Sequence, residues 1–283
     1  MRIAIIGGTS FIGQNLIACL YKKNFGIVAT YNSNKKIKKK NIVWKKLDIK
    51  KTKKNYFKYL SCPDIVINLA WPDIPNYRLK KHFKTFYYQK KFNHNLIKNG
   101  LKNLIVLGTC YEYGKINGRI SENVKEKPTI PYAVSKLKLL KSILELKKKN
   151  FFKFTWIRPF FVYGINKKRK NLYSLINETE KQKPEKLKVN GNLIRDFISV
   201  KFLCSTIFRI IKLNEDFGIL NVCSGKGTSV RNFIKKNLKN KKSLKRIFMN
   251  AKNPNNFEPK SFWGDNSKLK KILGLNKDVN MTK

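Results

Sequence analysis

The first thirteen residues constrain the fold of this chain more than any other stretch. Arg2–Ile6 is a short β-branched run that ends in Gly7-Gly8-Thr9-Ser10-Phe11-Ile12-Gly13. Beyond it Ile12, Leu16, Ile17 and Leu20 recur at helical spacing. The unit is strand, glycine turn, helix. Such a turn brings an anion to a helix N-terminus, where free N–H groups and the helix dipole favour negative charge. A dinucleotide pyrophosphate suits the arrangement. Gly7 and Gly13 hold the outer positions of a GxxGxxG pattern, and Ser10 stands at the middle one. Serine is small enough to keep the approach open. Thr9, Phe11 and Ile12 complete the expected cradle. An ordinary βα turn would use the same residues, so the motif needs support from the rest of the chain.

The rest repeats the alternation. Strands are expected at Ile27–Tyr31, Ile42–Trp44, Asp64–Leu69, Asn103–Leu107 and Phe154–Ile157, with helices at Lys84–Asn99 and Tyr132–Lys149. Asp64–Leu69 is apolar almost throughout, as a parallel strand covered on both faces must be. This reads as an α/β, Rossmann-like doubly wound parallel sheet. After about residue 165 the pattern loosens, with helices at Leu172–Lys183, Val200–Leu213, Val230–Leu238 and Ser267–Leu273 and a strand at Ile219–Val222. We expect a dinucleotide-binding domain over residues 1–165. Residues 166–283 form a smaller substrate lobe, with some segments returning to the sheet.

Composition bounds the partners. The 283 residues are 42% hydrophobic, enough for a packed core. No run approaches the ~18 apolar residues of a membrane helix, and the first apolar run breaks at Gly7-Gly8 before a secretory leader could form. A cytoplasmic protein with no membrane partner is expected. The five cysteines are scattered and there are two histidines, without ligand spacing, so neither a disulfide framework nor a metal site is expected. The net charge of +47 admits a nucleic-acid surface or a drift toward lysine-rich composition. The 19 Phe and only 9 Pro fit drift, since nucleic-acid binding enriches Lys and Arg alone. Weak, non-specific polyanion binding follows either way.

Between Ile27 and Leu47 there is no Asp or Glu to hold a ribose 2′-hydroxyl. Asn32, Ser33 and Lys35 stand at the end of the second strand instead. Amide, hydroxyl and ammonium groups suit a 2′-phosphate, which favours NADP(H) over NAD(H). Asp48 is a candidate for the adenine, or a plain turn residue.

Four segments occur in a telling order: GGTSFIG at 7–13, Gly108-Thr109-Cys110-Tyr111-Glu112-Tyr113-Gly114, Tyr132 with Lys136 in PYAVSK, and IRPFFVYG at 157–164. RDFISV at 195–200, NVCSG at 221–225 and DNSKL at 265–269 follow. Together they resemble the extended short-chain dehydrogenase/reductases, the NAD-dependent epimerase/dehydratase family that acts on nucleotide sugars. The resemblance implies that Thr109, Tyr132 and Lys136 are catalytic. Residues at i and i+4 are neighbours on a helix, so Lys136 is expected beneath Tyr132, lowering the phenol's pKa from its usual ~10. By the same resemblance Lys136 holds the nicotinamide ribose, and Leu69, Ala70, Pro159 and Phe160 line the cofactor. Helices 84–99 and 132–149 would pair two subunits in a homodimer.

The family's sugar dehydratases carry an Asp-Glu pair after the threonine. Cys110-Tyr111 stand there in this chain, which argues against 4,6-dehydration. The resemblance is closest to reductases of dTDP-4-keto-6-deoxyhexoses and to 6-deoxytalose 4-dehydrogenases. It places Trp71, Tyr77 and Glu112 around the sugar and Arg195 on the substrate diphosphate. Each has a plain alternative: Trp71 as core filler, Tyr77 as a loop anchor, Glu112 as a partner for lysines, Arg195 as an ion pair with Asp196 or another carboxylate. Two other functions stay open: an epimerase with tightly bound NAD, and an idle member of the fold that binds RNA or a protein through its basic surface.

Overall fold

Each long apolar run of the first half becomes a strand of one parallel sheet in the computed structural model, which describes residues 1–32, 41–165, 171–181, 187–240, 242, 247–248 and 258–274. β1 (Arg2–Ile6) leads into α1 (Phe11–Leu20). β2 (Gly26–Tyr31), β3 (Ile42–Lys46), the single turn α2 (Tyr56–Tyr59), β4 (Ile65–Asn68), α3 (Lys81–Lys98) and β5 (Asn103–Leu107) follow. A 3-10 turn at Cys110–Tyr113 and β6 (Gly118–Ile120) precede α4 (Pro131–Lys147), β7 (Lys153–Pro159) and β8 (Phe161–Tyr163). The remainder is α5 (Leu172–Lys181), β9 (Leu187–Lys188), β10 (Ile194–Arg195), β11 (Phe197–Ser199), α6 (Val200–Leu213), β12 (Gly218–Val222), β13 (Thr228–Ser229), α7 (Val230–Asn237), β14 (Ile247–Phe248), β15 (Ser261–Gly264) and α8 (Ser267–Leu273).

The seven-stranded sheet has the order β12-β7-β5-β4-β1-β2-β3, and every pair in it is parallel. Strand order therefore runs outward from β1 in both directions. The reversal lies between β1 and β4, and ligands bind at the carboxyl ends of strands at such a switch point.

Side chains alternate across a strand, so the apolar runs are divided between two cores. Ile3 and Ile5, Ile65 and Ile67, and Ile105 join α1 and α6 on one face. Ala4, Ile6, Val66, Leu104 and Val106 join Phe92 and Leu96 of α3 and Leu139, Leu140 and Ile143 of α4 on the other. Full burial of one such Ile or Leu contributes about 1.5–3 kcal/mol. That double covering is why these strands read as continuous apolar runs rather than as alternating ones.

Three small sheets sit beyond β7: β13-β10-β15-β6, β11-β8 and β14-β9. Their strands have two to four residues, too short for a period-2 pattern to show in the sequence. Ile176, Phe197, Val230, Phe233 and Ile234 make a separate small core there, with Phe197 stacked on Phe233 at 3.8 Å. Asp196 knits the region together by accepting from the main-chain N–H groups of Ser224 (2.7 Å), Gly225 (3.0 Å) and Gly264 (3.3 Å).

Several boundaries differ from expectation. β12 pairs in parallel with β7 at the edge of the main sheet. The helix expected to reach Lys183 is described as far as Lys181, and the expected cofactor residues Ser33 and Lys35 lie outside the described residues. All five cysteines are free; Cys110, Cys204 and Cys223 are buried and Cys62 is exposed. No helix among the described residues is long and apolar enough to cross a membrane.

Candidate active site

At the end of β1 the chain turns back on itself. Gly7 has φ +83°, a left-handed conformation that L side chains rarely adopt, and a Cβ there would press on the main chain of Ala70 at 3.2 Å. A Cβ on Gly13 would collide with the carbonyl oxygen of Gly7. Thr30 at the end of β2 fixes the turn: its hydroxyl accepts from Gly7 N–H (2.9 Å) and its carbonyl from Gly8 N–H (2.9 Å). Ser10 does more than stay small. It is the N-cap of α1, and its hydroxyl accepts the Gly13 N–H at 3.1 Å. The N–H groups of Phe11 and Ile12, in the first turn, find no acceptor among the described residues. Glycines at a close approach and free N–H groups at a helix start fit a dinucleotide pyrophosphate. Asn32 is exposed at the end of β2, and Asp48 closes a local turn by accepting from Lys50 N–H (3.0 Å).

The loop after β4 is tied down from α3. Leu69 N–H donates to Ile6 carbonyl at 3.0 Å, which holds the ends of β1 and β4 together. Gln89 Nε2 donates to the Ala70 carbonyl (2.5 Å), and Asn68 Nδ2 donates to Gln89 Oε1 (2.8 Å) and Asn93 Oδ1 (3.0 Å). These buried amides were not singled out in the sequence. Their signal was three amides inside a strand-and-helix pair otherwise built to be apolar.

The reacting end lies where β5 stops and α4 starts. Thr109 caps the 3-10 turn, and Pro131-Tyr132 opens α4. The Thr109 hydroxyl lies on the side of the Tyr132 phenol and pulls its pKa down. The main-chain N–H of Tyr132 donates to the Tyr77 carbonyl at 3.1 Å. The Tyr132 ring sits in an aromatic box of Tyr77 (5.3 Å), His82 (5.4 Å) and Trp71 (5.9 Å). Trp71 Nε1–H donates to His82 Nδ1 (3.1 Å), which leaves His82 Nε2 to donate to the Asn76 carbonyl (3.0 Å). His82 is thereby the neutral Nε2–H tautomer, an unforeseen anchor for Trp71.

Lys136 departs from expectation. Its ammonium does not lie against the phenol. It donates to the Leu107 carbonyl at 2.5 Å and stands 4.1 Å from the centre of the Trp71 ring. Burial pushes its pKa down to about 7, and the charge of Glu112 pushes back up. The Tyr132 phenol is well above its ordinary value. Burial is the main cause, the neighbouring Tyr77 and Glu112 charges add to it, and the Thr109 hydroxyl pulls the other way. The expected lowering by Lys136 is overridden because the phenol is enclosed on every side.

Two expected substrate contacts, Glu112 at the sugar and Arg195 at the diphosphate, are buried in ion pairs. Glu112 is 0% exposed. Its carboxylate accepts from Thr109 N–H (2.8 Å), from Trp156 Nε1 (3.0 and 3.1 Å) and from Arg158 Nε (2.7 Å). It cannot line an open pocket, and its partner is an arginine rather than a lysine. Arg195 is also buried and pairs with Glu258 Oε2 at 2.8 Å. The other oxygen of Glu258 accepts from the Tyr111 hydroxyl at 2.7 Å, and the Tyr111 ring meets Tyr77 at 5.3 Å. Arg195 is thus engaged by a carboxylate, the plain alternative of the sequence reading. Phe160, expected at the nicotinamide, stacks on Phe262 at 5.2 Å and is buried in a small core with Cys110 and Cys223. Its side chain is core filler, and it is the main chain of Pro159-Phe160 that marks the carboxyl end of β7.

A glycine cradle and a Thr–Tyr–Lys set therefore share one end of one parallel sheet. The model of the NAD dependent epimerase/dehydratase family matches residues 3–223. The chain belongs to this family. Among curated members, the dTDP-6-deoxy-L-talose 4-dehydrogenase (NAD(+)) of Aggregatibacter actinomycetemcomitans is 27% identical over 170 residues. That match covers 59% of this chain and 63% of the relative, so it spans less than two thirds of the relative's length. The GDP-6-deoxy-D-talose 4-dehydrogenase of the same organism is 30% identical over 241 residues, covering 81% of this chain and 76% of the relative. Among solved structures, MoeE5 in complex with UDP-glucuronic acid and NAD superposes with a TM-score of 0.80 at 19% identity, covering 99% of this chain and 95% of that one. UDP-glucose 4-epimerase from Thermotoga maritima, with UDP-glucose, gives 0.79 at 19% identity, covering 99% and 94%. At that identity the structures establish the Rossmann-like fold of the family and nothing finer.

Proposed function

We propose that this chain is an oxidoreductase that interconverts the C4 hydroxyl and the 4-keto group of a nucleotide-linked 6-deoxyhexose. The observation that carries the reading is the gathering of Thr109, Tyr132 and Lys136 at the end of β5 and the start of α4, on the same carboxyl end of the sheet as the glycine cradle. A sugar oxygen held between the two hydroxyls is fixed by Thr109 and exchanges its proton with Tyr132. The bound dinucleotide supplies or accepts the hydride. Lys136, anchored at the Leu107 carbonyl, holds the nicotinamide ribose, and Trp71 and Tyr77 wall the sugar. The names of the two curated relatives support C4 chemistry on 6-deoxytalose nucleotides; dehydrogenation and keto reduction are its two directions.

The cofactor assignment is a nicotinamide adenine dinucleotide. The relative named for NAD(+) supports NAD(H). The missing carboxylate after β2 supports tolerance of a 2′-phosphate, the basis of the NADP(H) expectation. We also assign residues 166–283 mainly to substrate binding. A homodimer through α3 and α4 is supported by Phe83 (40% exposed) and Tyr87 (51% exposed), one turn apart on α3. Light scattering on the eluting protein tests the dimer.

The test is direct. Purified protein is offered dTDP- and GDP-6-deoxytalose with NAD+ or NADP+, and absorbance of the reduced cofactor is followed. Its appearance with either sugar supports the reading, and the ratio of the two cofactors' kcat/KM settles the 2′-position. No reduced cofactor with any pair, together with tightly bound NAD copurifying, transfers the site to an epimerase. Neither cofactor nor turnover, with retention on RNA that falls steeply with salt, leaves the idle binder.

A further inference from the structure

We infer that Glu112 is a positioning residue for the catalytic set: its carboxylate fixes the Thr109 main chain and opposes the buried ammonium of Lys136. The inference rests on the reading of Thr109, Tyr132 and Lys136 given above. Glu112 and Thr109 form a capping box: the Glu112 carboxylate accepts the Thr109 N–H, while the Thr109 hydroxyl accepts the Tyr111 N–H at 3.3 Å. Glu112 also accepts from two side chains of β7, through Trp156 Nε1–H and Arg158 Nε–H. Trp156 lies 6.0 Å, centroid to Nζ, from Lys136, whose own donor bond goes to Leu107, two residues before Thr109. One carboxylate thus ties the turn after β5, which carries Thr109, to the side chains of β7.

The clasp has an electrostatic consequence. Arg158 serves two carboxylates, Glu112 at Nε and Glu126 at Nη2 (2.6 Å). Glu126 also faces Lys141. Burial raises the Glu112 carboxyl, and the Arg158 guanidinium pulls it back down. The other titratable groups facing Glu112 are Tyr132 and Cys110, and Tyr113 lies under the Arg158 guanidinium at 4.5 Å. Burial pushes all three up, so they stay neutral near pH 7. Glu258, which also faces Cys110, is matched by Arg195. Burial alone would discharge Lys136; Glu112 opposes that, and its pKa rests at about 7.

The test needs no cofactor and no substrate. Lysine 13Cε resonances of the cofactor-free protein are followed from pH 5 to 10, with Lys136 assigned by its loss in Lys136→Met. Wild type is expected to titrate near 7. Glu112→Gln is expected to lower that midpoint by about 1 unit, the scale of one nearby charge. Because that change strands Arg158, the double variant Glu112→Gln, Arg158→Met removes both charges together, a replacement that interiors tolerate. It is expected to lower the midpoint too. A folded double variant with an unmoved Lys136 midpoint overturns the inference and leaves Glu112 as a packing residue. In turnover, the alkaline limb set by Lys136 moves to lower pH in the same variants. A shifted midpoint in a protein without turnover would sink the proposed function instead, so the two failures are separable.

Discussion

The Thr109 hydroxyl stands near enough to the Tyr132 phenol to pull its pKa down, although the two come from different elements. Thr109 is placed by the stop of β5 and Tyr132 by the start of α4, with the Tyr77 carbonyl holding the latter's N–H. Both elements are fixed by the sheet order, so the contact is a product of the fold rather than of local sequence.

Tyr132→Phe keeps the ring in its aromatic box and removes the proton. Steady-state kinetics should show kcat reduced about 10²–10⁴-fold, the range of general acid–base catalysis. Dinucleotide affinity, read by fluorescence, should be unchanged. A comparable loss of affinity would mean that Tyr132 binds rather than reacts.

Lys136 ties stability to pH. The unfolded chain keeps this lysine protonated up to its ordinary value near 10.5, whereas the folded chain releases the proton at about 7. Between those values unfolding takes up a proton, so raising the pH favours the fold. Wild type should therefore gain stability relative to Lys136→Met from pH 7 to pH 10 in thermal melts. A difference in Tm that stays flat over that range would contradict the depressed pKa.

Gly13→Ala sets a methyl against the Gly7 carbonyl, a main-chain atom that no rotamer can move. Overpacking of this kind costs about 1–3 kcal/mol. Calorimetry should show a lower Tm, and dinucleotide affinity should fall at least about tenfold if the turn opens by that energy. An unchanged affinity would show that the cradle does not bind phosphate.

Arg195→Ala leaves Glu258 buried without its guanidinium. The expected cost is about 3–5 kcal/mol, read in urea unfolding. Unchanged stability with a raised KM for the nucleotide sugar would return Arg195 to the substrate diphosphate.

The cradle, the sheet and the Tyr132–Lys136 pair were legible because each follows a local rule, whereas Thr109 was named through the family resemblance. Apolar runs mark buried parallel strands, Gly7 and Gly13 mark a turn without room for Cβ, and i,i+4 spacing puts Tyr132 and Lys136 on one helix face. What escaped depends on distance in sequence. Glu112 and Arg158 are 46 residues apart, and Arg195 and Glu258 are 63 apart. Nothing in their neighbourhoods says that each pair will be buried together, so Glu112 read as a partner for lysines and the carboxylate that meets Arg195 could not be named. Lys136 shows the same limit: spacing placed it correctly on α4, but its ammonium follows the Leu107 carbonyl and the Trp71 face. The two- to four-residue strands beyond β7 carry too few side chains for any period to appear.

The central claim is tested most directly by offering the protein NADH or NADPH deuterated at C4 of the nicotinamide together with dTDP- or GDP-4-keto-6-deoxyhexose. The product's isotope is then located by mass spectrometry. Deuterium at sugar C4, absent from the same reaction with Tyr132→Phe, is the predicted result. A product without deuterium, or a sugar inverted with no net oxidation of cofactor, would contradict it.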